Sequence, residues 1–383
     1  MILFLLTFFL VYGGLHLYVF SKIKGAFPLP PVANICLMLL LVFMLLAPLL
    51  IRLSERYGYE SSAAFLSYIG YVWMGIILFF FTISILLDLY RLLIFTGAHI
   101  FNKDLSYLKP SPLFLLIVPL VISLSLNVYG YFEAKNIRTE QITITTPKLP
   151  REIGRLRIVQ ISDVHIGLII RGERLKRMME IVKKAEPDIL VSTGDLVDGQ
   201  MNNLSQPAGL LRDIHPKYGK FAITGNHEFY AGIDHALEFH RRAGFLVLRG
   251  EAVTLPGLIN IAGVDDTDGK RFGHYTNVTE KTLLATLPGE HFTLLLKHRP
   301  ILDREAFGLY DLQLSGHTHK GQIYPFSLVT KYIFTYHTGY FQLPKGSRLY
   351  VSRGTGTWGP PIRFLSPPEV TVIDLVHQEE GKI

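Results

Sequence analysis

Hydrophobic residues dominate the first third of the chain. Near Tyr131–Lys135 they give way to short apolar runs separated by polar turns. Four apolar stretches precede that change: Met1–Phe20, Asn34–Ile51, Tyr68–Leu87 and Leu113–Val128. A helix needs roughly 20 apolar residues to cross a bilayer, so the pattern predicts four membrane-spanning helices, the last a short run that can extend. The first is not read as a cleaved signal peptide, because no Lys or Arg precedes it and no small-residue cleavage site follows. Lys22, Lys24 and Pro28–Pro31 mark a loop between spans. The third stretch runs on as ILLDLYRLLIF, where Asp88 and Arg91 share a helical face. A helix end with a local ion pair is expected there, ahead of a polar site within the membrane.

Beyond Gln141 the period changes. Gln141–Thr146 alternates like a strand, Leu156–Ser162 reads as a buried strand, Arg174–Lys184 has helical periodicity and Ile189–Ser192 is the next strand. Further strands are expected at Phe221–Thr224, Ile259–Gly263, Thr293–Leu296, Leu312–Ser315, Leu349–Ser352 and Glu369–Leu375. Many short strands with a few helices point to an α+β domain of two packed sheets with outer helices. The expected division is a transmembrane anchor over 1–133 and a soluble domain over 134–383.

Composition sharpens this picture. Of 383 residues, 49% are hydrophobic and only 18% charged, and the mean hydropathy is +0.31, too apolar for an ordinary soluble chain. Residues 1–133 hold seven Lys or Arg against five Asp or Glu; the remainder holds 31 against 26. No run of five or six like charges occurs, so no dedicated nucleic-acid surface is indicated. A mild positive excess beside a membrane suits anionic lipid, and the bilayer is the expected partner. An even number of spans puts the amino terminus and the soluble domain on one side of a cell (inner or plasma) membrane. The Lys and Arg flanking the spans barely separate the two faces; they lean towards an external domain and leave the side undetermined. The single cysteine, Cys36, lies in an apolar run. Any metal must therefore be held by His, Asp and Asn.

Such residues cluster directly after the expected strands. Asp163 and His165 follow the first, Gly194-Asp195 the second and Gly225-Asn226-His227-Glu228 the third. His298 follows LLLK, and Gly316-His317-Thr318-His319 follows LQLS. Residues two apart on an extended chain point the same way, so Asp163 with His165, and His317 with His319, could each grip one ion. Carboxylate with imidazole suits Mn, Fe, Zn or Co. Any one of these short motifs alone is weak; five in order, each after a strand, are not.

The blocks SDVH, GDLVDG, GNHE, KHRP and GHTH resemble the calcineurin-like metallophosphoesterase family, over the whole soluble part. The resemblance implies a four-layer αββα sandwich with two divalent cations between the sheets. It implies that Asp163, His165, Asp195 and His319 hold one cation, and Asp195, Asn226, His298 and His317 the other. His227 would be a proton donor oriented by Asp198. GHTHKGQ and the tail GTGTWGPPIR resemble a membrane-linked bacterial branch, some of whose members are associated with cleaving UDP-2,3-diacylglucosamine. Arg363 is read either as a clamp on substrate phosphate or as a strut for the tail. Glu228 is expected to be supporting, and Asp265 and Asp266 to be loop residues. Gly199 stands where Ser/Thr protein phosphatases carry Arg, which argues against a phosphoprotein substrate. The expected activity is hydrolysis of a phosphodiester or pyrophosphate, with a phosphorylated, lipid-linked partner. A nuclease, a general phosphodiesterase, or a non-enzymatic receptor or transport partner with a metal-binding scaffold are the alternatives.

Overall fold

Long apolar runs with few breaks form the first unit of the computed structural model, which describes residues 2–199 and 205–378. Helices α1 (Ile2–Ala26), α2 (Pro31–Arg56), α3 (Glu60–Phe101) and α4 (Pro112–Glu133) are each long and apolar enough to cross a membrane. Proline opens α2, where its missing N–H costs nothing. Pro48 and Pro119 lie inside α2 and α4, a placement that membrane helices tolerate.

Helix α3 differs from expectation. It does not end near Asp88 but continues through 42 residues to Phe101, where Asn102 in the left-handed region closes it. At 1.5 Å per residue that is about 63 Å, roughly twice a bilayer's hydrocarbon core. Asp88 is tied between helices and not only along its own. It accepts from Lys22 Nζ at 2.5 Å and Tyr18 Oη at 2.6 Å, both on α1, with Arg91 at 3.6 Å. Nearby, His16 on α1 faces the Trp73 indole N–H of α3 at 3.0 Å.

The second unit comprises Glu133–Trp358 and the chain from Arg363; residues Gly359–Ile362 group with the first. One six-stranded sheet runs β1 (Arg138–Thr146), β12 (Glu369–His377), β2 (Arg155–Ile161), β3 (Ile189–Ser192), β4 (Lys220–Ala222), β5 (Leu246–Val247). The other runs β10 (Gly339–Gln342), β11 (Arg348–Val351), β9 (Leu312–Ser315), β8 (Phe292–Leu296), β7 (Ile259–Gly263), β6 (Glu251–Thr254). Strands β2 to β5 are mutually parallel, as are β7, β8, β9 and β11.

The two-residue period of β2 shows why the sheets stack. Leu156 and Ile158 enter a core shared with Ile261 of β7, Leu294 of β8 and Leu314 of β9. Val159 and Ile161 turn the other way and pack with Leu175, Met178 and Val182 of α5 (Glu173–Lys184), Leu211 of α6 (Ser205–Arg212) and Phe239. After β4 come α7 (Asn226–Ala231) and α8 (Ile233–Arg242), which carries Phe239. The short helices α9 (Gly269–Phe272) and α10 (Glu280–Leu284) follow β7, and α11 (Phe326–Ile333) follows β9. Leu283 and Leu284 of α10 pack with Leu295, Leu349 and Val351 on the far face of the second sheet. The result is the expected order of helix, sheet, sheet and helix.

The Lys22–Asp88 tie yields a test. Asp88→Leu leaves a largely buried ammonium without its carboxylate, at a cost of about 1–3 kcal/mol. Thermal unfolding of the full chain in lipid nanodiscs should show a lowered midpoint. Adding Lys22→Met should recover much of the loss, since removing both partners of a buried pair is far less costly than removing one. A double variant no more stable than Asp88→Leu would refute this.

Candidate metal centre

Parallel strands end together, and their following loops converge at one edge of the sandwich. Asp163 and His165 come from the end of β2, Asp195 from β3 and Asn226 from β4. His298 follows β8, and His317 and His319 follow β9. Ligand sites at the carboxyl ends of parallel strands are a general property of such sheets.

The loops turn sharply rather than running extended. Asp163 (φ 51°), His165 (54°), Asp195 (51°), His317 (71°) and His319 (49°) all occupy the left-handed region. Each pair two apart therefore converges because both members sit in tight turns, not because the chain is extended as the spacing suggested. Non-glycine residues in this region are uncommon and gather where surrounding structure holds them for function. The turns leave no room for side chains beside them. A Cβ on Gly316 would lie 1.9 Å from Ser162 Oγ and 2.2 Å from Asp163 Oδ2; one on Gly225 would lie 2.2 Å from Asp195 Oδ1.

The donor atoms fall into overlapping groups. Asp163, His165 and His319 form one, and Asp195, His298 and His317 another, with Asp195 also grouped with His165 and His227. His165 Nε2 and His319 Nε2 stand 3.1 Å apart, as do His317 Nδ1 and His298 Nε2. Asp195 Oδ2 lies 3.3 Å from His298 Nε2 and 3.9 Å from His165 Nε2. His298 gives its Nδ1 proton to Thr193 O at 2.8 Å, which turns Nε2 towards the carboxylates. Asn226 Oδ1 is buried and accepts no hydrogen bond, an orphan that an ion would satisfy. Closely approaching imidazoles, two buried carboxylates and an unsatisfied amide oxygen fit divalent cations well.

Burial and charge set the protonation states that the side chains take by themselves. Burial pushes His165 down to about 4, with His227 adding to the effect. Burial also holds His317 and His319 well below the usual imidazole range, favouring the neutral form that binds metal. Burial opposes ionisation of Asp195, but the His298 and His227 imidazoles outweigh it and hold its carboxyl low. His227 is pulled down by burial and then raised to about 9 by Asp195 and Asp198. Its Nδ1 meets Asp198 Oδ1 at 2.8 Å, its backbone N–H donates to Asp195 Oδ1 at 2.8 Å, and its ring stands edge-on to His165.

Arg363, read from sequence as a phosphate clamp or a strut, turns its guanidinium into the domain. Its side chain is fully buried. It donates to the carbonyls of Gly356, His319, Arg353, Ser366 and Gly354, and Nη2 stands 3.2 Å from His319 Nδ1. With its donors committed to backbone, it positions His319. Lys320 is half-buried beside it.

The sequence marks Glu228 as supporting, but not the contacts through which it and two neighbouring carboxylates act. The fully buried Glu228 carboxylate accepts the backbone N–H groups of Asp195 (2.9 Å), Leu196 (2.8 Å), Val197 (3.3 Å) and Gly225 (2.6 Å). Its position in GNHE was the available signal, but nothing local reveals four donors, three of them from another loop. Asp265 and Asp266 stand outside the donor groups yet are buried, not loose loop residues. Asp265 pairs with Arg249 at 2.9 Å and accepts from the Thr224 hydroxyl; Asp266 pairs with Arg299 at 2.7 Å, and its backbone N–H donates to the Thr224 hydroxyl oxygen. Together they clamp the start of the GNHE loop.

Two stacked mixed sheets with a His, Asp and Asn cluster at their carboxyl edge define a metal-dependent phosphoesterase class. Residues 156–321 match the calcineurin-like phosphoesterase family. The chain is 42% identical over 255 residues to an uncharacterized metallophosphoesterase of Aquifex aeolicus, covering 66% of this chain and 97% of that protein. It is 32% identical to a second, from Helicobacter pylori, covering 66% and 68%. It is also 30% identical over 273 residues to a transmembrane protein with a metallophosphoesterase domain from Danio rerio, covering 68% and 62%. The chain belongs to the calcineurin-like phosphoesterase family, a family of divalent-metal hydrolases, and with its four apolar helices it is a membrane protein.

Glu228→Gln should expose the importance of the buried carboxylate. An amide presents one acceptor oxygen and turns its NH₂ towards backbone donors, costing about 1–3 kcal/mol. Thermal unfolding should shift down, and metal analysis of the purified variant should show reduced occupancy. Unchanged stability and metal content would show that the Asp195 loop holds itself.

Proposed function

We propose that this protein hydrolyses a phosphodiester or pyrophosphate bond in a lipid-linked substrate such as UDP-2,3-diacylglucosamine, at a site holding two divalent cations drawn from Mn, Fe, Zn and Co. The observation that carries the two-cation reading is the chain of overlapping donor groups, in which Asp195 joins His298 and His317 on one side and His165, itself grouped with Asp163 and His319, on the other. Asp163, His165, Asp195 and His319 would hold one cation; Asp195, Asn226, His298 and His317 the other. Four membrane helices support a substrate held at the membrane, and the cell (inner or plasma) membrane is the proposed location.

When bound, two such cations supply Lewis-acid polarisation of the phosphoryl group and activation of a water. The chain's own residues do the rest. Asp195 brings negative charge between the two donor groups while its second oxygen is fixed by the His227 N–H. His227, oriented through Nδ1 by Asp198, leaves Nε2 to hand a proton to the departing oxygen. Without cations, Asp195 and Asp198 raise that imidazole to about 9, against the effect of burial and towards the protonated form. Tyr230 and Trp358 rings flank His227 at 5.2 and 5.8 Å, narrowing water's access to it.

Full-length protein in nanodiscs, loaded separately with each metal, should hydrolyse UDP-2,3-diacylglucosamine faster than a soluble dye phosphodiester or single-stranded DNA. Preferential DNA cleavage would favour a nuclease instead. No hydrolysis with any metal would favour a binding role.

Asp195→Asn should abolish turnover and lower bound metal, because it removes the one carboxylate common to both groups. Two retained equivalents with a normal rate would sink its assignment. His227→Asn should keep both metals and slow hydrolysis by roughly 10²–10⁴-fold. That loss should shrink as the leaving group becomes more acidic; a uniform loss across a leaving-group series argues against proton donation.

A further inference from the structure

Among the described residues of the second unit, six of the twelve exposed large apolar side chains lie within Tyr324–Ile333. Helix α11, Phe326–Ile333, has no buried residue. Five of its eight side chains are exposed large hydrophobics: Phe326, Leu328, Val329, Tyr332 and Ile333, with Tyr332 93% accessible. A helix in a soluble surface ordinarily buries one apolar face. This one exposes more apolar surface than it hides, although its length and sequence could have formed an ordinary amphipathic element.

The surrounding charge is one-sided. Residues 312–368 contain no Asp or Glu but six Lys or Arg. Lys331 on α11 and Lys345 beyond it are exposed. The segment is also rich in aromatic side chains, among them exposed Tyr324 and Tyr340. Exposed apolar residues set among aromatics and cations, with no acid in the same segment, are the composition of a helix lying in the headgroup region of an anionic bilayer.

The apolar surface leads to the candidate metal centre. Phe334, directly after α11, sets its ring against His317 with centroids 5.4 Å apart. Beside it a groove of about 490 Å³ is lined by Ile301, Phe307, Ile333, Phe334 and Tyr336. Thr318, between the two candidate ligands of GHTH, donates its hydroxyl to His337 O at 2.5 Å, so the chain leaving α11 is hydrogen-bonded back to the donor loop.

We propose that α11 is a membrane-surface element: its apolar residues enter the bilayer interface and Lys331 and Lys345 meet anionic headgroups, which sets one rim of the metal centre against lipid. The bilayer is favoured over a protein partner because the same chain carries four helices long and apolar enough to cross a membrane, and the segment bearing α11 exposes Lys331 and Lys345 and has no Asp or Glu of its own. The inference deepens the lipid-linked reading but does not depend on which bond is cleaved.

The test uses the full chain with Cys36→Ser and Tyr332→Cys, labelled with an environment-sensitive fluorophore and reconstituted in vesicles of phosphatidylcholine with phosphatidylglycerol. A matched label at Glu180→Cys, exposed on α5, is the comparison. The label at 332 should emit at shorter wavelength, be quenched by lipid-borne nitroxides and resist aqueous iodide, while the label at 180 should behave oppositely. Hydrolysis of a soluble phosphodiester should match that of the parent protein, confirming an intact site. Equal iodide access and no nitroxide quenching at 332 would overturn the proposal. So would a blue shift that follows protein density and not lipid, which would place a second copy on α11. Failure to cleave UDP-2,3-diacylglucosamine with lipid quenching intact would instead reject the substrate reading alone.

Discussion

Everything at the candidate metal centre depends on how Asp195 is held. Its backbone carbonyl accepts the His165 N–H, its own N–H and its neighbours' are taken by Glu228, and one carboxylate oxygen is fixed by the His227 N–H. The other oxygen is left facing His298 and His165. A buried carboxylate is unfavourable unless its charge is met, and here polar groups meet it from three separate loops. This is why the glycines at 225 and 316 cannot grow a side chain: the space a methyl would take is filled by the carboxylates at 195 and 163. The donor set is thus a packing solution as much as a chemical one.

Much of this was legible in the sequence, for a physical reason. Buried parallel strands such as Ile189–Ser192 and Leu312–Ser315 must be continuously apolar, so they stand out, and the loops after them carry the polar residues. Strands β5, β6 and β10 were not legible. The first has two residues, and all three lie at or near sheet edges, where half-exposed side chains dilute the pattern. The left-handed turns at Asp163 and His317 were hidden because residue identity there is dictated by ligand chemistry, which overrides conformational preference. Arg363 was ambiguous, and the contacts of Glu228 were hidden, because their partners are backbone groups, many of them distant in the chain, which leave no trace in composition.

The membrane part was read correctly in number and incompletely in extent. Apolar windows locate a span but do not say where a helix stops once it leaves hydrocarbon. Polar residues from Asp88 onward look like an ending, yet the backbone hydrogen bonds of α3 continue to Phe101 because Asp88 is satisfied sideways by Lys22 and Tyr18. A charged residue in an apolar run is therefore an indicator of a neighbour as often as of a boundary.

The donors are divided between the sheets: Asp163, Asp195 and Asn226 belong to one, His298, His317 and His319 to the other. A cation bound by both sets would be a rivet joining the two halves of the sandwich at one edge. A species that binds only the folded form adds its binding free energy to folding, so the stability of the domain would rise and fall with the free metal concentration around it. The lifetime of the protein in a cell, and not only its turnover rate, would then report metal supply.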